Sequence, residues 1–272
     1  MKAKSKFAAI PYLAWMLIFI IVPLGMVVFF GFTTKGGEFT FDNFTGIAKY
    51  AHVFWKSIYL SVIATVICLI LAFPLGFLMS RMSEVGQRTM LMLIMLPMWM
   101  SFLLRTYGWM TLLENEGLIN KFLGLFGIGP FEMINTKGAV VLGMVYNYLP
   151  FAITPLHSIM VKIDKSVIEA AQDLGANGFR VFTRVLLPLS IPGIITAITM
   201  VFVPSVSTFI ISRMLGGGQN ILIGDLIEQQ FLGSVYNPYV GSAMSLILMV
   251  IILLIMSVIN HFDDDEMEGM IV

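Results

Sequence analysis

Two acidic residues three positions apart, Asp225 and Glu228, are the first candidates for chemistry in this sequence. Such spacing places both carboxylates on one face of a helix. A pair of this kind could attract a cationic amine, and aromatic rings could add cation–π contacts. A helix exposed to water would explain the same two residues. The aromatic residues considered for such contacts are Trp99, Tyr107, Trp109, Tyr146 and Tyr148.

Arg105 is a further candidate, because it is the one charge inside the apolar stretch 90–113. An unpaired arginine inside a bilayer costs about 3 kcal/mol or more, so its side chain should face protein or water. A bare guanidinium would repel a cationic substrate. We therefore favour a structural ion pair of Arg105 with Asp225 or Glu228 over direct contact with a substrate.

Other kinds of active site find little support in the sequence. It contains no Gly-x4-Gly-Lys-[Ser/Thr] loop, so this chain is not expected to hydrolyse a nucleotide. Cys68 is the only cysteine, and His52, His157 and His261 are scattered, so we predict neither a metal site nor a cofactor bound by this chain. An intramembrane enzyme would need a partner for His157, and an ion-driven transporter would need acids at mid-membrane. The apolar stretches contain no acidic residue.

The composition indicates that the solvent is lipid. Of the 272 residues 58% are hydrophobic and 12% charged, whereas soluble domains average about 25% charged residues. The mean hydropathy is +0.91, and the 16 basic and 16 acidic residues give no net charge that would suggest nucleic acid. We predict an all-α integral membrane protein in the lipid bilayer, with one domain over 1–272, because a helix satisfies its own backbone inside lipid. The predicted spans are 10–32, 58–79, 90–113, 138–160, 186–211 and 241–260.

The positions of lysine and arginine predict the orientation. Lys2, Lys4 and Lys6 precede the first span, whose other flank carries only Lys35. That span is longer than the core of a signal peptide, about 7–15 residues, and no small-residue cleavage site follows it. We therefore predict an uncleaved first span and both termini in the cytoplasm.

One connection, residues 163–185 between the fourth and fifth spans, is called the charged segment below. Asp164 is suited to cap a helix over 165–174, and Gly175 is suited to end it. Asn177 can begin a second short helix with an apolar face. The residues of that face are Phe179, Phe182 and Leu186. An amphipathic helix on lipid headgroups and a helix that enters a groove of a soluble partner would each account for this pattern.

The charged segment resembles a motif of ABC importer permeases, Glu-Ala-Ala-x3-Gly-x9-Ile-x-Leu-Pro. The one departure is Val185, where that family usually has isoleucine. In the family this motif forms the coupling helix that docks into the ATPase subunit. The resemblance implies that the small alanines permit close approach and that the glycine provides the turn. The residues it assigns to ATPase coupling are Glu169, Ala170, Ala171, Gly175, Leu187 and Pro188, and we add Phe179 of the apolar face to this set.

Three further stretches, Leu104–Gly108, Pro188–Ile195 and Gly216–Gly224, resemble the spermidine/putrescine permeases of that family. The resemblance implies a six-span type I importer fold (MetI-like) in the cell membrane, and a polyamine as the substrate. It also implies ATPase subunits that bind ATP and Mg²⁺, a second permease subunit and an extracytoplasmic polyamine-binding protein. Another small solute is the alternative substrate. The candidate pathway residues are Arg105, Tyr107, Trp109, Tyr146, Asp225 and Glu228.

Overall fold

The computed structural model describes the backbone of residues 10–233 and 235–269, and the side chains of this part through Ile259. The N-terminal lysines used to predict the orientation lie outside the described residues. The structure is 79% helix and its described part contains no strand, which confirms the all-α prediction. The helices are α1 Ile10–Gly31, α2 Ala51–Ser80, α3 Glu84–Met95, α4 Phe102–Leu113, α5 Leu118–Gly124, α6 Lys137–Met160, α7 Lys165–Asp173, α8 Gly178–Leu189, α9 Ile191–Val206, α10 Ile210–Gly216, α11 Ile223–Leu232 and α12 Pro238–Gly269.

Four helical runs in the described part are long and apolar enough to cross a membrane. They are α1, the run Asp42–Ser80 that contains α2, α6, and residues Pro238–Ile259 of α12. Two bent pairs pass the same test when each is taken as one span, which raises the number to six. The pairs are Glu84–Trp99 with Phe102–Gly124, and Gly178–Leu189 with Ile191–Val206.

The third predicted span, 90–113, is broken and not straight. The two halves of this pair meet at 87°. The first half ends in a 3₁₀ turn, Leu96–Trp99, that contains Pro97, and Met100 then has extended backbone with ψ 153°. Proline lacks the N–H that a helix needs and clashes with the preceding turn. Hydropathy predicted one continuous helix because it counts apolar residues and carries no information about direction.

The fifth predicted span, 186–211, covers parts of three helices. Helices α8 and α9 meet at 69°, with Ser190 between them and Pro192 in the first turn of α9. Helix α9 ends at Val206, and residues 207–209 separate it from α10. The break at 207–209 therefore interrupts the predicted span before α10 begins.

The described part of the chain forms two compact units, of which the first comprises residues 10–52, 226–233 and 235–254. In its described part, the end of α1 lies against α12. A Cβ atom built on Gly31 would lie 2.7 Å from Leu246 Cδ1, and the ring of Phe30 packs edge-on against Tyr239 with centroids 5.6 Å apart. The remainder of α1 exposes apolar side chains, as expected of a helix surrounded by lipid or by other spans.

The second unit comprises residues 53–225 and 255–269. Its core is formed largely by α6 with α2, α9 and α10. Helices α6 and α10 approach closely at Gly143, where an added Cβ atom would lie 2.4 Å from Leu215 Cδ1. On another side of α6, the Cys68 thiol of α2 donates to the carbonyl of Val145. Small residues at such crossings are typical of membrane helices, whose association depends on close packing.

Candidate functional site

The charged segment begins with a capped helix. Asp164 Oδ1 accepts a hydrogen bond from the N–H of Ser166 at 3.0 Å. The bonds to Ser166 foremost, and also the positive charge of Arg81, hold the pKa of the Asp164 carboxyl below its usual range. An ionised cap satisfies one of the N–H groups that a helix leaves open at its N-terminus. Helix α7 then runs from Lys165 to Asp173.

Gly175 follows α7 with left-handed backbone, φ +83°. Its N–H donates to the carbonyl of Gln172 at 2.8 Å, and the N–H of Ala176 donates to the carbonyl of Ala171 at 3.0 Å. A Cβ atom built on Gly175 would have no neighbour within 4 Å. The requirement for glycine at this turn is therefore conformational and not steric.

Helix α7 has one packed side and one open side. Ile168, Ala171 and Ala176 pack against the core of the second unit. Glu169 and Ala170 are exposed. Of the two adjacent alanines of the motif, one thus holds the helix in place and the other lies on the open side.

Two large apolar side chains are exposed beside these residues. Phe179 is 74% exposed, and Leu174 is 90% exposed. Sequence reasoning selected Phe179 and missed Leu174, although a leucine placed directly before the glycine that ends a charged helix is a detectable signal. Exposed apolar side chains rimmed by charges are typical of a surface that binds another protein.

The second helix of the segment, α8, does not keep the predicted apolar face together. Leu186 is buried and Phe182 is about as exposed as Leu187, whereas Phe179 points into the open. A π turn over Phe182–Leu186 rotates the side chains relative to an α-helix. The ring of Phe182 packs edge-on against Phe73 of α2 at 5.1 Å. The half-buried Pro188 lies near the end of α8, before the bend into α9.

Arg105 does not form the predicted ion pair. Its guanidinium carbon lies 5.8 Å from the ring centre of Phe102, one turn earlier on α4. Its Nε is buried and has no hydrogen-bond partner among the described residues. Asp225 pairs with Arg213, whose Nε lies 3.8 Å from Oδ1. The prediction failed because the fold places Arg213, and not Arg105, beside Asp225.

The two carboxylates of the predicted cation-attracting pair, Asp225 and Glu228, do not form an open acidic site. Asp225 is 2% exposed and its Oδ2 accepts hydrogen bonds from the hydroxyl of Ser212 and from the N–H of Leu222, the latter at 3.0 Å. Such a carboxylate is a structural cap at the start of α11. Glu228, farther along α11, is half-buried. The interpretation of Asp225 as an open cation-attracting group is therefore wrong.

The candidate aromatic residues divide into three groups. Trp109 of α4 and Tyr146 of α6 lie together, with ring centroids 5.4 Å apart and planes inclined by 66°. Tyr107 is 55% exposed and Trp99 is 74% exposed. Tyr148 is buried, and its hydroxyl donates to the carbonyl of Pro204 at 3.3 Å. Trp109 and Tyr146 are thus the two candidate pathway residues that the structure brings into contact.

We expect Asp225→Asn to lower the apparent melting temperature of the purified protein by about 5 °C, because hydrogen bonds to a charged group contribute roughly 1.5–3 kcal/mol. The loss should be similar at low and high salt, since salt screens exposed charges far more than buried ones. Glu228→Gln, three residues on, is the matched control and should have a smaller effect. If the loss in melting temperature disappears at high salt, Asp225 acts as an exposed charge and not as a buried cap.

Comparison with known proteins connects this geometry to a family. Residues 72–265 match the family described as binding-protein-dependent transport system inner membrane component. The spermidine/putrescine transport system permease protein PotB of Haemophilus influenzae is 38% identical over 255 residues, which cover 90% of this chain and 89% of that protein. PotB of Escherichia coli is 34% identical over 247 residues, which cover 87% of this chain and 90% of that protein.

A solved structure has the same fold. A bacterial ABC transporter involved in the import of the acidic polysaccharide alginate contains a chain that matches with a TM-score of 0.81 over 97% of this chain and 96% of that one. The sequence identity is 17%, so this similarity concerns the fold alone. It confirms the predicted permease fold and leaves the substrate open.

Proposed function

This chain belongs to the family of binding-protein-dependent transport system inner membrane components, and on that premise we propose that it is the permease subunit of an ATP-driven polyamine importer. The observation that carries the proposal is the similarity of nearly the whole chain to spermidine/putrescine permeases. The chain is a multi-pass membrane protein and a transport component, not an enzyme. Another small solute is the second candidate, because an alginate importer shares the fold.

The charged segment is the proposed docking site for the ATPase. Its open side combines Glu169 and Ala170 with the exposed Leu174 and Phe179. A partner groove could receive the two apolar side chains, while the small Ala170 permits close approach. Gly175 fixes the direction in which α8 leaves α7. The proposed partners are ATPase subunits that bind ATP and Mg²⁺, a second, PotC-like permease subunit and an extracytoplasmic polyamine-binding protein.

The proposed mechanism is alternating access. Binding of ATP brings the ATPase subunits together, they displace α7 and α8, and the displacement reorients the helices that line the pathway. Trp109 and Tyr146 offer aromatic surface to a cationic amine. Weak contacts of this kind suit passage, since tight binding would prevent release. Leu187 and Pro188, next to the bend between α8 and α9, would transmit the displacement to α9.

Reconstitution tests the substrate. We expect the complex in proteoliposomes to show ATPase activity that is stimulated by binding protein loaded with spermidine or putrescine. Unloaded binding protein is the control and should stimulate much less. If a neutral sugar or an anion stimulates instead, the polyamine assignment is wrong, and the permease assignment is unaffected.

Thiol labelling tests the orientation. We expect Lys35→Cys to react with a membrane-impermeant reagent in intact cells, and Lys165→Cys to react only after the membrane is permeabilised. Both positions are exposed in this chain, so when it is expressed without the ATPase subunits, access depends on the side of the membrane alone. The native Cys68 is buried, and the unaltered protein is the control for background labelling. The reverse pattern would invert the proposed topology.

A further inference from the structure

Arg81 connects two parts of the chain that are distant in sequence. It is the first residue after α2, and its Nη1 donates to the carbonyl of Ile163 at 3.3 Å. The guanidinium carbon lies 5.1 Å from the ring centre of Phe77, one turn earlier on α2. Ile163 is buried and directly precedes Asp164, the cap of α7. A single side chain thus reaches from the end of α2 to the start of the charged segment.

The base from which Arg81 projects is fixed by a second side chain. Gln87 Nε2 donates to the carbonyl of Ser80 at 3.4 Å and to that of Met82 at 3.0 Å. These carbonyls flank Arg81 at the C-terminus of α2, where backbone carbonyls have no N–H donor within the helix. The turn that carries Arg81 is therefore held in one backbone conformation. Because the backbone at Arg81 is held, its side chain can restrain the position of Ile163.

Charge adds to the contact. The cation of Arg81 favours the ionised form of Asp164, whose pKa it helps to lower after the hydrogen bonds to Ser166. Arg81 Nε and Nη2 are buried and have no hydrogen-bond partner in the described part of the chain. A desolvated cation of this kind is stabilised by nearby carbonyl oxygens and carboxylates, so Arg81 has physical reason to stay with residues 163–164.

Packing between α2 and the charged segment is otherwise incomplete. Beside the contact of Phe182 with Phe73 lies an open apolar pocket of about 560 Å³, lined also by Phe77, Ile168 and Gln172. Such a cavity allows α7 to move relative to α2. Polar contacts between α2 and the charged segment, such as that of Arg81 with Ile163, then decide whether α2 moves when α7 is displaced.

We propose that Arg81 is a positioning residue that fastens the start of α7 to the end of α2. The inference rests on the proposed docking of the charged segment to an ATPase. With this tie, a displacement of α7 moves α2 as well as α6, to which α7 is joined through residues 161–164. Without it, α7 can swing about the covalent connection, so that ATP is hydrolysed and less substrate is moved.

The test compares Arg81→Gln with Arg81→Lys and with Arg88→Gln in the complete complex in proteoliposomes. Arg88 lies seven residues farther along, its side chain is 84% exposed and its ion pair among the described residues is with Glu84 at 3.9 Å. Arg88→Gln therefore removes the same charge near the same turn without touching residue 163. We expect Arg81→Gln to lower solute uptake per ATP hydrolysed by about tenfold, the order of effect of losing one charged hydrogen bond. Arg81→Lys should fall between, and Arg88→Gln should match the unaltered complex.

Hydrogen exchange in the same complexes gives a readout that needs no substrate. The amides of residues 165–174 should exchange faster in Arg81→Gln, and also in Arg81→Lys, than in Arg88→Gln. If the complex with Arg81→Gln does not assemble, the comparison of Arg81→Lys with Arg88→Gln decides the outcome. Equal exchange and an equal uptake ratio in the Arg81 and Arg88 variants would overturn the proposal.

A separate control distinguishes this proposal from the one on which it rests. If Gly175→Val impairs coupled uptake and the Arg81 variants do not, the tie alone is wrong. If Gly175→Val and Glu169→Lys both transport normally, the docking function of the charged segment is wrong, whatever the Arg81 variants show.

Discussion

Replacing Gly175 by valine is expected to abolish ATP-driven uptake while the protein still inserts into the membrane. The residue has φ +83°, a conformation that costs an L-residue roughly 1–2 kcal/mol and a β-branched one more. To escape it, the chain must give up the hydrogen bonds that Gly175 and Ala176 donate to the last turn of α7. Leu174 and Phe179 would then change direction. Uptake by the reconstituted complex, with ATPase activity in parallel, measures the effect.

Gly127→Val is the matched control for this prediction. Gly127 also has left-handed backbone, φ +72°, and also has open space around it. The two variants therefore carry a similar local strain, but Gly127 lies outside the charged segment. We expect Gly127→Val to retain most of the uptake. Equal losses in both variants would attribute the defect to strain in general, and normal uptake with Gly175→Val would remove the coupling assignment.

Replacing Gly224 by alanine should strongly destabilise the second unit. An added Cβ atom would lie 2.4 Å from the carbonyl oxygen of Ser207 and 2.5 Å from that of Thr208. Both atoms belong to the backbone, so the break between α9 and α10 must shift. The neighbouring N–H of Ile223, which donates to Ser57 Oγ of α2 at 2.8 Å, would be pulled away. Overpacking of this kind costs about 1–3 kcal/mol, and we expect the apparent melting temperature to fall by roughly 5 °C or more.

Gly138→Ala provides the control for Gly224→Ala. Gly138 also lies in the first turn of a helix, α6, and the nearest atom to its added Cβ is Thr136 Oγ1 at 3.6 Å, an ordinary contact. Alanine stabilises a helix relative to glycine, so this variant should melt at the same temperature as the unaltered protein or slightly above it. Uptake should follow stability in both variants. If Gly224→Ala and Gly138→Ala melt at the same temperature, the close approach of Gly224 to residues 207–208 is not structurally important.

The sequence by itself determined the environment and the family of this protein. Its 58% hydrophobic residues can be accommodated only by lipid, because the charged residues are too few to cover a water-exposed surface. The charged segment was also readable, since its signals are local. A capping aspartate and a glycine that ends a helix act within a few residues of chain, and motif spacing is a property of the chain alone.

Directions and distant contacts were decided by the tertiary structure. Hydropathy predicted straight spans at 90–113 and 186–211, and the structure bends both, because the angle at a proline-containing break depends on what packs around it. Arg105 and Asp225 were expected to pair on charge alone. The fold instead gives Asp225 the side chains of Ser212 and Arg213.

The same reason explains what sequence reasoning missed. The hydrogen bond from Arg81 to Ile163 joins residues 82 positions apart, and no local sequence pattern predicts it. Leu174 is exposed because the packed side of α7 is formed by Ile168 and Ala171. Which side of a short helix meets the core is set by its neighbours in space. Local signals therefore determined where α7 begins and ends, and packing against helices distant in the chain decided which of its residues a partner can reach.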